Sequence, residues 1–567
     1  MTGLSADVVI GDFTTSTPGR LVSAPFVVSQ PYLNFQICGG DYEYKTCLNV
    51  VVNGRVVRSE TGRATERLHA ATFDLTDWLG QDAHLEVVDE ADGEWGYVRV
   101  SDIVLSSTPA VVVAKSPLYR EALRPQLHFT ARQFAMHRLN PVEREEGWLN
   151  DLNGLVFHDG EYHLFAQRWN KCWIHAVSND LVHWTELEPA FFEESLDVGV
   201  QSGSCVVDVD NTSGLAAHGD GPAMVAFWSR NDNRSQCVSY SLDRGRTWTH
   251  YAGNPIMDLP ERDPMVFRDH RRAQWVMVLY GDDRYQLLRS DDLLHWESLD
   301  SSISDSFECP DFFELGVDGS DETRWVLVRG DGRYSIGSFD GKFFVEETAQ
   351  LQVDGGPHFY ATQSWAAGSG TAPRRVQVAW MRGGRYPNMP FNQQVSIPCD
   401  LTLHRTAAGL RMFRKPMPEL ERLSRTRHNW PARVLSPGSP WQLGTASPLL
   451  RITCDVTLAP AGTLTLNIYG TQVSVTSRSI ALLPPDHPHA PAAERQTGTV
   501  AEQPTIGEVR KLDIVVDTTS VEVFANDGEA SLTACVQPGH LGLTLTASGA
   551  DCTLGELEVV ELASIWH

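Results

Sequence analysis

Three short acidic segments carry the chemistry open to this chain: Trp148-Leu149-Asn150-Asp151-Leu152-Asn153-Gly154, Glu261-Arg262-Asp263-Pro264 and Glu308-Cys309-Pro310-Asp311. Each is bounded by apolar, strand-like sequence and sets a carboxylate beside residues that mark a turn or a strand end. Cleaving a sugar acetal needs little more than two or three carboxylates held around one carbon. Taken singly, each segment has a plainer reading. An Asp close to Asn-Gly is a turn residue. Arg262 beside Asp263 is a local ion pair of small worth, and Glu308 is a solvated acid. Only as a set drawn together by the fold do they make a glycosidase site.

The elements that must position them are strands. Helix signals are rare, and apolar/polar alternation recurs, as in Leu48-Asn-Val-Val-Val-Asn53, His84-Leu-Glu-Val-Val88 and Val521-Glu-Val-Phe524. The sequence predicts an all-β chain. With 567 residues it is too long for one core. Residues 1–110 read as an N-terminal β-sandwich-like domain with a tight hairpin at Val52-Asn-Gly-Arg55. Residues 111–127 are a connector, 128–424 the central domain, and 425–567 a C-terminal β-sandwich. The central part repeats itself. Ser178-Asn-Asp180-Leu-Val-His-Trp184 returns as Ser241-Leu-Asp243-Arg-Gly-Arg-Thr-Trp248 and as Ser290-Asp-Asp292-Leu-Leu-His-Trp296, with a fainter copy at Ser338-Phe-Asp340-Gly-Lys-Phe-Phe344. Repeats of this size, each a turn among a few strands, read as propeller blades. A propeller gathers loops from several blades at one end of its axis, which would bring distant carboxylates together.

Lys and Arg number 46 and Asp and Glu 72, a net charge of −26. That balance argues against nucleic acid or an anionic membrane as partner and fits a neutral substrate. The start, Met1-Thr-Gly-Leu-Ser-Ala-Asp7, has neither a basic nor an apolar leader pattern. The expectation is a cytoplasmic protein, or an exported one whose signal was removed. The ten cysteines show no metal-ligand spacing and read as buried free thiols, with a Cys38–Cys47 bridge as the alternative. His158, His175 and His183 lack an accompanying ligand set, so no metal is expected.

Asn150-Asp151-x-Asn153-Gly154, Arg262-Asp263-Pro264 and Glu308-Cys309-Pro310-Asp311 together resemble the three signature boxes of glycoside hydrolase family 32, the family of invertases, levanases, inulinases and fructosyltransferases. His175-Ala-Val-Ser-Asn-Asp-Leu-Val-His-Trp184, Ser202-Gly-Ser204 and Ser520-Val-Glu-Val-Phe-Ala-Asn-Asp-Gly528 add to the likeness, and the N-terminal part resembles an extra β-domain of some bacterial levanases. The resemblance implies a five-bladed β-propeller followed by a β-sandwich, and retaining transfer of a β-fructofuranosyl unit without cofactor or metal. It implies Asp151 as nucleophile, Glu308 as general acid and then base, and Asp263 as stabiliser of the oxocarbenium-like transition state. A retaining pair stands about 5–5.5 Å apart. Arg262 would orient the carboxylates; Asn150, Gln167, Ser202, Tyr360 and Trp380 would line the sugar pocket.

The sequence departs from the family in the pocket rather than in the carboxylates. Leu152 stands where the first box has Pro. A longer aromatic-bearing loop after Gln167 is cut to Arg168-Trp169-Asn170-Lys171-Cys172, so Trp169 is the candidate replacement ring. Gln201 stands where the family has Phe before Ser202-Gly-Ser204. Met389-Pro-Phe-Asn-Gln-Gln394 resembles levanase-like members. The expected function is a β-fructofuranosidase releasing terminal fructosyl units from fructans or fructo-oligosaccharides, levan-type favoured over sucrose. The rivals are a fructosyltransferase forming difructose anhydride, a disaccharide-releasing fructan hydrolase, and a non-catalytic fructan-binding protein.

Overall fold

The computed structural model describes residues 13–14, 19–42, 45–91, 95–111, 118–135, 144–192, 199–218, 220–230, 233–368, 373–444, 447–483, 501–537, 539 and 542–566. Regular structure there is almost wholly β, with two short 3₁₀ turns at Thr76–Trp78 and Pro418–Leu423. The chain packs as two compact units. One comprises Met1–Leu118, Arg132–Gly147 and Glu193–Gly199; the other comprises Tyr119–Ala131, Trp148–Phe192 and Val200–His567.

In the first unit, Tyr32–Gly39 runs between Thr65–Asp74 and Val98–Ser106, while Asp82–Asp89 runs between Gly19–Val22 and Thr46–Val52. Side chains alternate across each strand. Leu33, Phe35 and Ile37 of one sheet therefore share a core with Leu48, Val50, Leu85 and Val87 of the other. Asn53 and Gly54 both take positive φ, 51° and 73°, and close the tight hairpin expected at Val52–Arg55.

The second unit carries five successive antiparallel sheets of four or five strands. Their first strands are Leu152–His158, Val200–Asp208, Arg262–Asp269, Asp311–Gly316 and Tyr360–Ala367. The repeated motif has a single structural meaning: it is the turn between the third and fourth strands of four of these sheets. Asp180 and Asp292 each accept two backbone N–H groups at 2.8–3.0 Å, Asp340 accepts two at 2.7–2.9 Å, and Asp243 accepts the Thr247 N–H at 2.8 Å. The indoles of Trp184, Trp248 and Trp296 close the turn by donating to the carbonyl three residues back. Asp is needed to cap the turn and Trp to seat it on the sheet, which is why these two types recur.

Seven- and six-stranded sheets follow and share one core, with Leu450, Ile452, Ile514 and Val523 from one facing Leu464, Val473, Ile480 and Leu545 from the other. Within this unit a buried ionic network ties an early segment to the late sheet. His128 Nδ1 lies 2.7 Å from Asp517 and Nε2 lies 2.9 Å from Glu522. Glu522 also receives Arg414 at 3.2 Å, and Arg414 reaches Asp354 at 3.4 Å. Asp517 further accepts the backbone N–H groups of Gln126 and Leu127 at 2.8 Å. Burial opposes a charge on His128, but its two carboxylate partners outweigh that and push it up to about 9.

All ten cysteines are thiols outside any disulfide, so the Cys38–Cys47 alternative is corrected: both are buried and unbridged. His175 is buried against His163, ring nitrogens 3.0 Å apart, and His183 bonds Asp180 at 3.0 Å.

Candidate active site

Most candidate residues sit where the first strands begin, and Gln167, Trp169 and Trp380 lie at or just past the ends of the strands that follow. Four of the five first strands shift register near their N-terminal ends, between Asn153 and Val156, Val200 and Gly203, Arg262 and Met265, and Tyr360 and Gln363. Positive φ accompanies the irregularity at Gly154 (50°), Asp263 (59°) and Ala361 (46°), and just ahead of the remaining strand at Glu308 (40°) and Cys309 (27°). Such bulges re-aim side chains that regular pleating would send to a sheet face. Gly154 is required in full: a Cβ there would lie 2.6 Å from the Cys205 Cβ. Neighbouring first strands are stitched together beside the site. Gly203 N donates to Asn153 Oδ1 at 3.0 Å, Val266 N to Ser204 Oγ at 2.9 Å, and Gln363 Nε2 to the Gly203 carbonyl at 3.1 Å.

The ten site residues named from the sequence fall into two bonded groups, and the acids of the two, Asp151 in one and Asp263 and Glu308 in the other, act on one another's charge. Ser202 Oγ donates to Asp151 Oδ2 at 2.8 Å and lies 2.5 Å from the Gln167 side-chain amide. A hydroxyl has one proton, so Ser202 gives it to Asp151 Oδ2 or to Gln167 Oε1, one at a time. Gln167 in turn contacts the Asn170 amide. The backbones of Asn150 and Asp151 are held by Gln167 at 2.9 and 2.8 Å. Arg262 bridges the other two carboxylates, Nη2 to Glu308 Oε1 at 2.6 Å and Nε to Asp263 Oδ2 at 3.8 Å. Its guanidinium lies over the Tyr280 ring at 4.7 Å. The Tyr360 hydroxyl bonds Glu308 Oε2. Tyr360 meets the Trp380 ring edge-on at 5.8 Å, and Trp380 Nε1 donates to Gln393 Oε1 at 3.0 Å.

Trp169 and Asn170, with φ of 52° and 59°, form the tight turn left by the shortened loop. That turn lays Trp169 on Trp148, ring centroids 4.0 Å apart and planes 21° off parallel. Trp148 Nε1 reaches Asn150 Oδ1 at 3.0 Å. Trp169 is 45% exposed, a large flat apolar surface left facing solvent beside the carboxylates.

Burial and neighbouring charges act on Asp151 and Asp263. Burial pushes Asp151 above the usual carboxylate range, the Ser202 hydrogen bond pulls it back, Glu308 raises it, and Asn150 and the Arg382 charge lower it. Burial, then the Asp151 charge, pushes Asp263 up to about 7 against the pull of the Cys309 N–H and Arg262. Cys309 N donates to Asp263 Oδ2 at 3.0 Å. Tyr360 is driven upward by burial and by its acidic neighbours, so its hydroxyl keeps its proton.

Three contributors were not read from the sequence. Cys309 lies inside a quoted box, but its N–H became a ligand of Asp263 only through the positive φ at 308 and 309. Gln393 fixes Trp380, and Arg382 covers Tyr360 and Trp380 at 4.7 and 5.7 Å. The available signal was position: Arg382 stands two residues after Trp380.

Known proteins resemble this chain in sequence and fold. The glycosyl hydrolases family 32 N-terminal domain matches residues 142–416, and the family 32 C-terminal domain matches residues 471–566. A levanase of Bacillus subtilis is 32% identical over 518 residues, 82% of this chain and 74% of its own length. An extracellular exo-inulinase of Aspergillus niger is 27% identical over 532 residues, 79% of this chain and 96% of its own. The crystal structure of exo-inulinase from Aspergillus awamori superposes with a TM-score of 0.69 at 26% identity, covering 79% of this chain and all of that one. With both family models matched in order and a relative this similar across most of its length, the chain belongs to glycoside hydrolase family 32.

Proposed function

We propose that this glycoside hydrolase is a retaining β-fructosidase that removes terminal fructosyl units from fructans or fructo-oligosaccharides, levan-type ahead of sucrose. The observation that carries the reading is a cluster of three acids, Asp151, Asp263 and Glu308, that act on one another's charge, two of them bridged by Arg262, in a chain one-third identical to a levanase. In this reading residues 128–424 are a five-bladed propeller whose first strands meet round the site, and residues 425–567 are a sandwich that supports it.

Asp151 attacks the anomeric carbon of the fructosyl unit while Glu308 gives a proton to the glycosidic oxygen, so the C–O bond breaks and a fructosyl ester forms on Asp151. Glu308 then takes a proton from water, which displaces Asp151 and regenerates the carboxylate. Arg262 is a pure donor and holds Oε1 in both half-reactions. Tyr360 hydroxyl can donate to an ionised Glu308 or accept from a protonated one, so proton exchange is assigned to Oε2. Asp263 binds fructosyl hydroxyls. Asn150, Gln167 and Ser202 hold the nucleophile, and Trp169, Tyr360 and Trp380 supply the apolar walls that sugar faces need.

The preference for levan-type chains draws on the levanase relative and on the Trp148–Trp169 platform. The test is a product profile of the purified chain with levan, inulin, levanbiose, inulobiose and sucrose. Free fructose, released fastest from β-2,6 substrates, is expected. Sucrose as best substrate by a wide margin would overturn the preference, and cyclic dianhydrides or disaccharides would replace hydrolysis of terminal units by another reaction. In D151N, binding should persist and turnover should vanish; unchanged turnover would remove Asp151 from its role.

A further inference from the structure

Charge counting leaves one acid of the site without an ion-pair partner. Arg262 lies 2.6 Å from Glu308 and 3.8 Å from Asp263, whereas Asp151 is held by the dipoles of Ser202 and Asn150. The cation that acts on Asp151 is Arg382. It is exposed, its guanidinium is seated over Tyr360 at 4.7 Å and Trp380 at 5.7 Å, and among the described residues no carboxylate is bonded to it. A guanidinium held by aromatic faces is oriented without being neutralised, unlike one in a salt bridge. The same seat joins it to Glu308 through the Tyr360 hydroxyl. The fold thus seats an exposed guanidinium on Tyr360, whose hydroxyl is bonded to Glu308, at a cluster of three carboxylates in which Arg262 bridges two.

We propose that Arg382 is a positioning residue for the reaction, supplying from its aromatic seat the counter-charge that Asp151 lacks. The inference rests on the reading of Asp151 as nucleophile. The groups that face Asp151 sort by sign. Glu308 and Asp263 are acids that disfavour its charge. Ser202 and Asn150 are neutral donors that favour it. Cys309 and Tyr360 stay protonated. Arg262 is committed to the other two acids, which leaves Arg382 as the positive charge free to act. Bound substrate displaces water from this mouth, and an electrostatic contact strengthens as water leaves.

The test is kcat and KM against pH on one fructo-oligosaccharide for the full chain and for R382M, R382Q and R382K. For R382M and R382Q the acid limb of kcat/KM is expected to move to higher pH, with activity on that limb down by about two- to fivefold and little change on the plateau. R382K should lie close to the parent, since it keeps the charge. An acid limb that stays put in both neutral variants overturns the proposal, and so does a rise in KM that is uniform across pH, which would make Arg382 a plain sugar contact. D151N run alongside separates the two readings: turnover surviving in D151N defeats the nucleophile assignment itself, whereas a dead D151N with an unmoved R382M limb defeats only the role of Arg382.

Discussion

Replacing Asp263 by Asn is expected to stabilise the protein while removing its activity. Asp263 is 6% exposed, and burial, then the Asp151 charge, pushes its carboxyl from 3.8 up to about 7. A carboxyl whose pKa rises on folding costs stability once it ionises. The cost is absent below about pH 3.8, grows as pH rises, and is complete above about 7. That span corresponds to about 4 kcal/mol at 1.36 kcal/mol per pH unit. The D263N amide still offers an oxygen to the Cys309 N–H, now 3.0 Å from Oδ2, and carries no charge. For a unit of several hundred residues, with an unfolding entropy of about 1 kcal/mol/K, the gain is roughly 4 °C in Tm. Thermal unfolding of parent and D263N at pH 4, 6 and 8, with fructose release assayed on the same samples, reads both halves. The Tm difference should be near zero at pH 4 and open to its full size by pH 8. Equal Tm values at pH 8 would refute the reasoning, because burial of an ionised Asp263 would then cost nothing.

Three further outcomes follow from contacts described above. H128N should flatten the alkaline side of the stability profile: the His128 contribution, about 3 kcal/mol for a pKa of about 9 against 6.5, is present in full below about pH 6.5 and lost as pH rises through 9, so Tm between pH 6.5 and 10 should fall less in H128N than in the parent. Y360F deletes the hydrogen bond to Glu308 Oε2 and should lower kcat/KM by roughly ten- to a hundredfold with an intact fold by circular dichroism. W169A removes a half-exposed ring from the Trp148 stack and should raise KM for fructo-oligosaccharides about two- to tenfold while kcat holds.

What the sequence disclosed were local devices. The Asp and Trp of the repeated turn are required by the turn itself, so their recurrence exposed the succession of sheets before any contact was known. The three acidic boxes were legible for the same reason: each is a strand start whose irregular backbone is written in Gly154, Pro264 and Pro310. Trp169 was legible as a candidate because the cut loop left no other ring beside Gln167. Contacts made at a distance were hidden. The Cys309 N–H meets Asp263, 46 residues away, only because both backbones turn to positive φ. Arg382 finds its seat on Tyr360 through strand packing, and its place two residues after Trp380 was the one local mark it carried.

The ionic bond between His128 and its partners also sets a timetable for synthesis. His128 and Asp517 are 389 residues apart in the chain. At about 5–20 residues per second, the nascent histidine waits roughly 20–80 s for its acid to leave the ribosome. Throughout that interval the segment around Gln126, Leu127 and His128 has polar groups destined for burial but nothing to receive them, and the sheets that carry the carboxylates lack their final clasp. A message cut short before Asp517 and Glu522 would therefore yield a polypeptide that contains every residue of the proposed active site but leaves His128 without either of these acids.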